Sequence, residues 1–292
     1  MIQQAILSDL IIRPIPILIG SFNFLDIYLV GCGGTGSFLA PSLVRLVLEL
    51  QQGGCDVRLT FVDHDHVSDR NIPRQNFCPG DLGGYKAALL ASRYGIAFGV
   101  EIAAIVEPFN YQLVDRPRWH SQTILIGCVD NSPARSELST VLSSLAQYNR
   151  QIWYLDCGNH GEGIAAGQVL LGSTNNFDLQ AAFNDLENPS FCVSLPAPGL
   201  QHPELLENHP EDGMDEHLSC TQIAERNKQA LFINQRVAVE AVEMINRLIN
   251  QRSLNRFATY FNCEWGSARS EYITVANLKK FSAFSDLQLK SN

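Results

Sequence analysis

The chain predicts an α/β fold, a doubly wound, Rossmann-like and mainly parallel sheet with helices on both faces, and three observations carry that expectation. Short apolar or β-branched runs at 27–30, 57–62, 100–106, 123–127 and 152–156 alternate with helical stretches, the pattern of strands covered on both faces. The first run ends in Gly31-Cys32-Gly33-Gly34-Thr35-Gly36, a glycine turn that carries a strand into a helix and bares backbone amides. The second run ends on Asp63, so its carboxylate emerges at the same sheet edge as the glycine turn.

After Gly36, the residues Phe38, Leu39, Leu43, Leu46, Val47 and Leu50 recur at three- and four-residue spacing, and Gly53-Gly54 closes the element. Pro41 falls inside that pattern and predicts a bend or a late helix start. Further helices are expected over 85–94 and 133–148, the second opened by Asn131 or Ser132 as N-cap with Pro133 at the first helical position. From Ser173 to Ser219 periodicity vanishes, and Pro189, Pro196, Pro198, Pro203 and Pro210 exclude a long helix. This stretch reads as a long, mobile, functional crossover loop. Ile233, Val237, Ala241, Ile245 and Leu248 then mark one face of a helix over 221–250, and 257–262 and 271–276 read as a hairpin around Gly266. Taken together the chain is one domain: a nucleotide-binding α/β core at 26–172, the crossover loop at 173–220, and a helix and strands at 221–292 that complete it.

Composition narrows the function. With 292 residues and 46% hydrophobic content the chain can bury a full core. A net charge of −9 lacks the basic footprint of a nucleic-acid binder. The eight cysteines, at 32, 55, 78, 128, 157, 192, 220 and 263, form no C-x-x-C pair. Reduced thiols in a cytoplasmic protein are therefore expected, with no structural zinc. The apolar stretch 11–24 is broken by Arg13, Pro14, Pro16 and Asn23, which argues against a signal peptide or membrane span.

The glycines Gly31, Gly33, Gly34 and Gly36 suit a phosphate at a helix N-terminus, and Asp63 suits ribose hydroxyls in a dehydrogenase and in an ATP enzyme alike. The set Asn71, Arg74, Gln75 and Lys86 exceeds what a redox enzyme holding a diphosphate needs and matches triphosphate chemistry. Plainer roles stand beside these: a turn for NAD, solvated charges at Arg74 and Lys86, a helix cap at Asp130, and surface positions for His64 and His66.

The order Gly31-x-Gly33-Gly34-x-Gly36, Asp63-x-Asp65-x-Val67, Asn71-x-x-Arg74-Gln75, Lys86 and Cys128-Val129-Asp130-Asn131 resembles the ThiF/MoeB class of adenylyltransferases, related in fold to ubiquitin-activating enzymes. The resemblance spans residues 26 to 165. Within that class it is similar to the ThiF-type family of the plasmid-associated PRTRC system, encoded beside ubiquitin-like, conjugating-enzyme-like and JAB-peptidase-like proteins. It implies adenylation of the C-terminal carboxylate of a ubiquitin-like carrier ending in glycine, with ATP and Mg²⁺ and release of pyrophosphate. Asn71, Arg74 and Lys86 would neutralise phosphate charge, and Asp130 would hold Mg²⁺. It further implies homodimerisation by analogy, contact with a conjugating-enzyme-like protein, and a thioester cysteine just before the helix after the crossover loop. Cys220 occupies that place, His217 precedes it by one turn, and Cys192 is the weaker alternative. The chain departs from the class by lacking paired C-x-x-C ligands, by Arg70 before Asn71, and by offering only Arg13 as an N-terminal arginine for a partner's site. The alternatives outside this class are a nicotinamide-dependent oxidoreductase and a non-catalytic scaffold for a ubiquitin-like partner.

Overall fold

The computed structural model describes residues 13–145, 151–160, 165–207 and 220–282, without the side chains of 160 and 220–230. The glycine turn falls where the sequence puts it: strand β1 (Phe24–Val30) runs into helix α1 (Gly34–Gln52). Strand β2 (Asp56–Val62), helix α2 (Lys86–Phe98), strand β3 (Ile102–Ile105), strand β4 (Ser121–Gly127), helix α3 (Ser132–Ser144) and strand β5 (Ile152–His160) follow. Strands β6 (Ala166–Gly172), β7 (Arg256–Asn262) and β8 (Ser267–Tyr272) complete one eight-stranded sheet in the order β3-β2-β1-β4-β5-β6-β7-β8. The first five are parallel and the last three antiparallel. The long helix α4 (Cys220–Ile249) lies between β6 and β7 in the chain.

Register decides where the chemistry can go. Val30 pairs with Val62 on one side and with Gly127 on the other, and Gly127 pairs with Asp156. The carboxyl ends of four neighbouring strands are thus level, and the chain order reverses between β1 and β4. Ligands of open α/β sheets bind at that switch point.

Three expectations need correction. Helix α1 starts at Gly34, not late, and runs through Pro41. Proline cannot donate to the carbonyl of Ser37, and the side chain of Asn76 takes its place, with Nδ2 3.2 Å from that oxygen, while the Ser37 hydroxyl accepts the Asn76 N–H at 2.9 Å. Second, the crossover segment over 173–207, expected to be mobile, is irregular but packed against the rest of the fold. Phe177, Phe183, Cys192, Leu195 and Ala197 are buried, the main chain of Cys192 bonds to Pro16 and Leu18, and Asn175 donates to the Ser139 carbonyl at 2.7 Å. A buried leucine such as Leu195 contributes roughly 1.5–3 kcal/mol, enough to hold irregular chain in place without periodicity. Residues 208–219, including His217, lie outside the described residues. Third, strand β6 escapes the sequence reading, and β8 begins at Ser267 rather than Glu271. Among the described residues no helix is long and apolar enough to cross a membrane.

Candidate functional site

The level strand ends open into a cleft of about 510 Å³. Gly31, Gly33 and Gly34 line it, together with Asp63, Asn71, Arg74, Gln75, Lys86 and Asp130. Gly36 is not on the lining but is required by the turn: a Cβ there would lie 1.9 Å from the Gly31 carbonyl oxygen. Only glycine lets α1 start so close behind β1.

Asp63 grips the turn directly. Its Oδ2 accepts the N–H of Cys32 at 2.6 Å and its Oδ1 accepts that of Asp65 at 2.8 Å. Burial raises its pKa above the ordinary carboxylate value, against the opposing pull of Lys86 and the two backbone donors. Each oxygen retains a lone pair for another donor. Lys86 opens α2, is only 5% exposed, and donates to Asp65 at 2.8 Å. Burial works against the charged form of Asp65, but the Lys86 hydrogen bond and charge prevail and hold its carboxyl below the usual range. The Lys86 ammonium is thus fixed at the cleft with one donor committed and two more to offer.

Asn71 shapes this wall more than it faces the cleft. Its Oδ1 accepts from the N–H and hydroxyl of Ser68, at 2.9 and 3.0 Å, closing the turn that carries Arg74 and Gln75 into the lining. Gln75 is buried with its Oε1 unpartnered among the described residues, a polar atom that a ligand can satisfy. Across the cleft, Asp130 is exposed and accepts from Asn131 Nδ2 at 3.3 Å. The capping role belongs to Asn131, whose Oδ1 accepts the Ala134 N–H at 3.0 Å, with α3 starting at Ser132 and Pro133 one residue later. Asp130 therefore keeps its carboxylate for the cleft.

Metal-ligating atoms also gather at Asp63, His64 and Asp65. The two carboxylates there are engaged by Cys32, Asp65 N–H and Lys86, and His66 stacks on Tyr85 with ring centroids 3.9 Å apart. For a magnesium ion carried by a triphosphate, a single exposed carboxylate such as Asp130 is a fitting protein ligand, since this ion keeps several waters and phosphate oxygens.

Several site residues escape the sequence reading. Asn159 and Asn234 line the far end of the cleft, the second from α4. Beneath the Asp130 loop, the side chain of Arg135 bonds the Val129 carbonyl at 2.8 Å and Asp156 at 3.2 Å, and Tyr154 donates to the same Asp156 oxygen at 2.7 Å. The acidic and aromatic residues of that network sit inside an apolar run, where nothing distinguishes them from strand filler. The cysteines separate clearly. Burial pushes the Cys32 thiol well up, with the Asp63 charge adding to it, and pushes Cys192 up to about 11. Cys192 is fully buried, so it is no accessible nucleophile. Cys220 is the first residue of α4, and its side chain lies outside the described ones. Arg13 is exposed.

Residues 21–152 match the ThiF family. The ThiF match thus covers the parallel half up to the start of β5. Among solved structures, E. coli MccB with ATP aligns at 13% identity over 85% of this chain and 64% of its own, with TM-score 0.52. E. coli MccB with AMPCPP and MccA gives 13%, 85%, 64% and 0.51, and PaaA gives 16%, 85%, 72% and 0.52. At these identities the likeness is one of fold, and the chain spans less than two thirds of the MccB length. No curated protein sequence matches this chain significantly.

Proposed function

We propose that this chain is an ATP-dependent adenylyltransferase that activates the C-terminal carboxylate of a polypeptide, specifically a ubiquitin-like carrier ending in glycine. The observation that carries the reading is the charge arrangement of the cleft. A buried, pinned Lys86 and the Arg74 turn share a cleft with an amide-rich glycine turn and with the exposed carboxylate of Asp130. The ThiF match and the MccB structures with ATP, and with AMPCPP and MccA, support it.

In the proposed reaction a carboxylate oxygen of the polypeptide attacks the α-phosphorus, the bond to the β-phosphate bridging oxygen breaks, and pyrophosphate leaves. The ionised carboxylate needs no general base, so positioning and charge neutralisation supply the catalysis. Asp63 accepts ribose hydroxyls, Lys86 and Arg74 neutralise phosphate oxygens, and Gln75 meets the ligand through its buried oxygen. Asp130 would hold a magnesium ion carried by the nucleotide, and that ion would supply further neutralisation of the triphosphate charge. In the second step of the reading the Cys220 thiolate attacks the carbonyl of the acyl-adenylate, the bond to the phosphate oxygen breaks, AMP leaves and the carrier is held as a thioester; a thiol at a helix start is favoured for this over the buried Cys192. Membership of the PRTRC-type family, a conjugating-enzyme-like partner and a homodimer belong to the same reading.

The test compares thermal midpoints of the protein with MgATP and with NADH. A ligand at 100 times its Kd adds about 2.7 kcal/mol. A shift with MgATP only, lost in Lys86→Ala and Asp130→Ala, is expected; a shift with NADH alone would overturn the reading.

A further inference from the structure

Helix α4 packs an apolar stripe on the sheet, with Ile233, Val237, Ala241, Ile245 and Leu248 all 2% exposed or less. Set among them is Asn234, itself 2% exposed. A carboxamide buried at a position that packing alone would fill with an aliphatic residue costs free energy unless its hydrogen bonds are made. Its Oδ1 accepts from the Thr35 hydroxyl at 3.2 Å and from Asn159 Nδ2, and its Nδ2 donates to the Arg74 carbonyl at 3.4 Å. The same Nδ2 would lie 2.5 Å from a Cβ placed on Gly34. One side chain thus touches the first turn of α1, the end of β5 and the Asn71–Gln75 turn, which lie far apart in the chain. Thr35, Arg74, Asn159 and Asn234 all line the cleft.

We infer that Asn234 is a positioning residue of the nucleotide site, a buried carboxamide by which α4 holds the glycine turn and the Arg74 turn at the separation a nucleotide requires. The oxygen anchors the glycine turn and β5, and the amide fixes Arg74's main chain. This inference rests on the nucleotide reading above, and extends it to a residue outside the segment matched by the ThiF family. It also makes α4, which begins where the crossover segment ends, a mechanical part of the site.

The experiment measures backbone hydrogen exchange over 31–37 and 71–77 in the nucleotide-free protein, and MgATP affinity by calorimetry. In Asn234→Ala, exchange rises in both segments and affinity falls about tenfold, the equivalent of roughly 1.4 kcal/mol. Asn234→Asp, isosteric and expected to fold, keeps the acceptor but not the donor. It leaves exchange over 31–37 near the parent's and raises it over 71–77. Val237→Ala, on the same stripe, lowers the midpoint without changing affinity or this exchange pattern. Unchanged exchange in both Asn234 variants, or affinity loss equal to that of Val237→Ala, would overturn the inference. Absence of MgATP binding in the parent protein would instead overturn the nucleotide reading, and the exchange data alone would then judge the anchoring.

Discussion

The two ends of the cleft are built on different principles. At one end Asp63, Asp65, Arg74 and Lys86, all between the end of β2 and the start of α2, supply the charges, with Asp63 held by the Cys32 and Asp65 N–H groups and Asp65 by Lys86. At the other, Asn159, Ala165 and Ile233 bring an uncharged carboxamide and apolar surface to the lining. In the proposed reading the charged end takes phosphate and the neutral end takes uncharged groups of the nucleotide or of the incoming polypeptide.

The comparison can be broken most severely from below. Arg135 holds the Asp130 loop through Val129 and neutralises Asp156, which is 1% exposed. Arg135→Met leaves that carboxylate buried without its cation and is expected to cost about 3–5 kcal/mol in urea unfolding. A loss under 1 kcal/mol would mean the network is not what supports the loop.

Binding should separate the two ends by magnitude. Lys86→Ala is expected to weaken MgATP by about two orders of magnitude. Asn159→Ala, which removes one neutral hydrogen bond, should cost roughly fivefold, about 1 kcal/mol. Titration calorimetry on both variants checks the difference, and equal losses would erase the distinction between the ends.

The smallest effect is the pH dependence of the Lys86–Asp65 pair. Because Asp65 sits below the ordinary carboxylate value in the folded protein, its stabilisation is fully present above the unfolded pKa of about 3.9 and is lost as pH falls through the lower folded value. Asp65→Asn should therefore flatten the acid limb of a plot of unfolding midpoint against pH, and leave the region above pH 5 parallel to that of the parent. Identical acid limbs would show that Lys86 is held by other means.

Legibility followed the same division. The glycine turn, Asp63, the Asn71–Gln75 set and Lys86 could be read in sequence because each is local: a turn, a strand end or a helix start places it, whatever the rest of the chain does. The parallel strands were readable for a similar reason, since strands covered on both faces are continuously apolar. Strand β6 was hidden because Gly167, Gln168 and Gly172 break up its apolar run. The packing of 173–207 was hidden because its partners, Pro16, Leu18 and Ser139, are remote and its order owes nothing to periodicity.

Sequence alone therefore determined the α/β class, the position of the cleft and its charged end, because short-range sterics and hydrogen bonding fix those features within a few residues. Tertiary structure alone decided that Asp65 pairs Lys86, that Asn76 supplies the donor Pro41 lacks, that Cys192 is buried, and that Asn234 meets Thr35 across 199 residues. Those contacts depend on which elements the sheet order brings together, and no local pattern encodes that order.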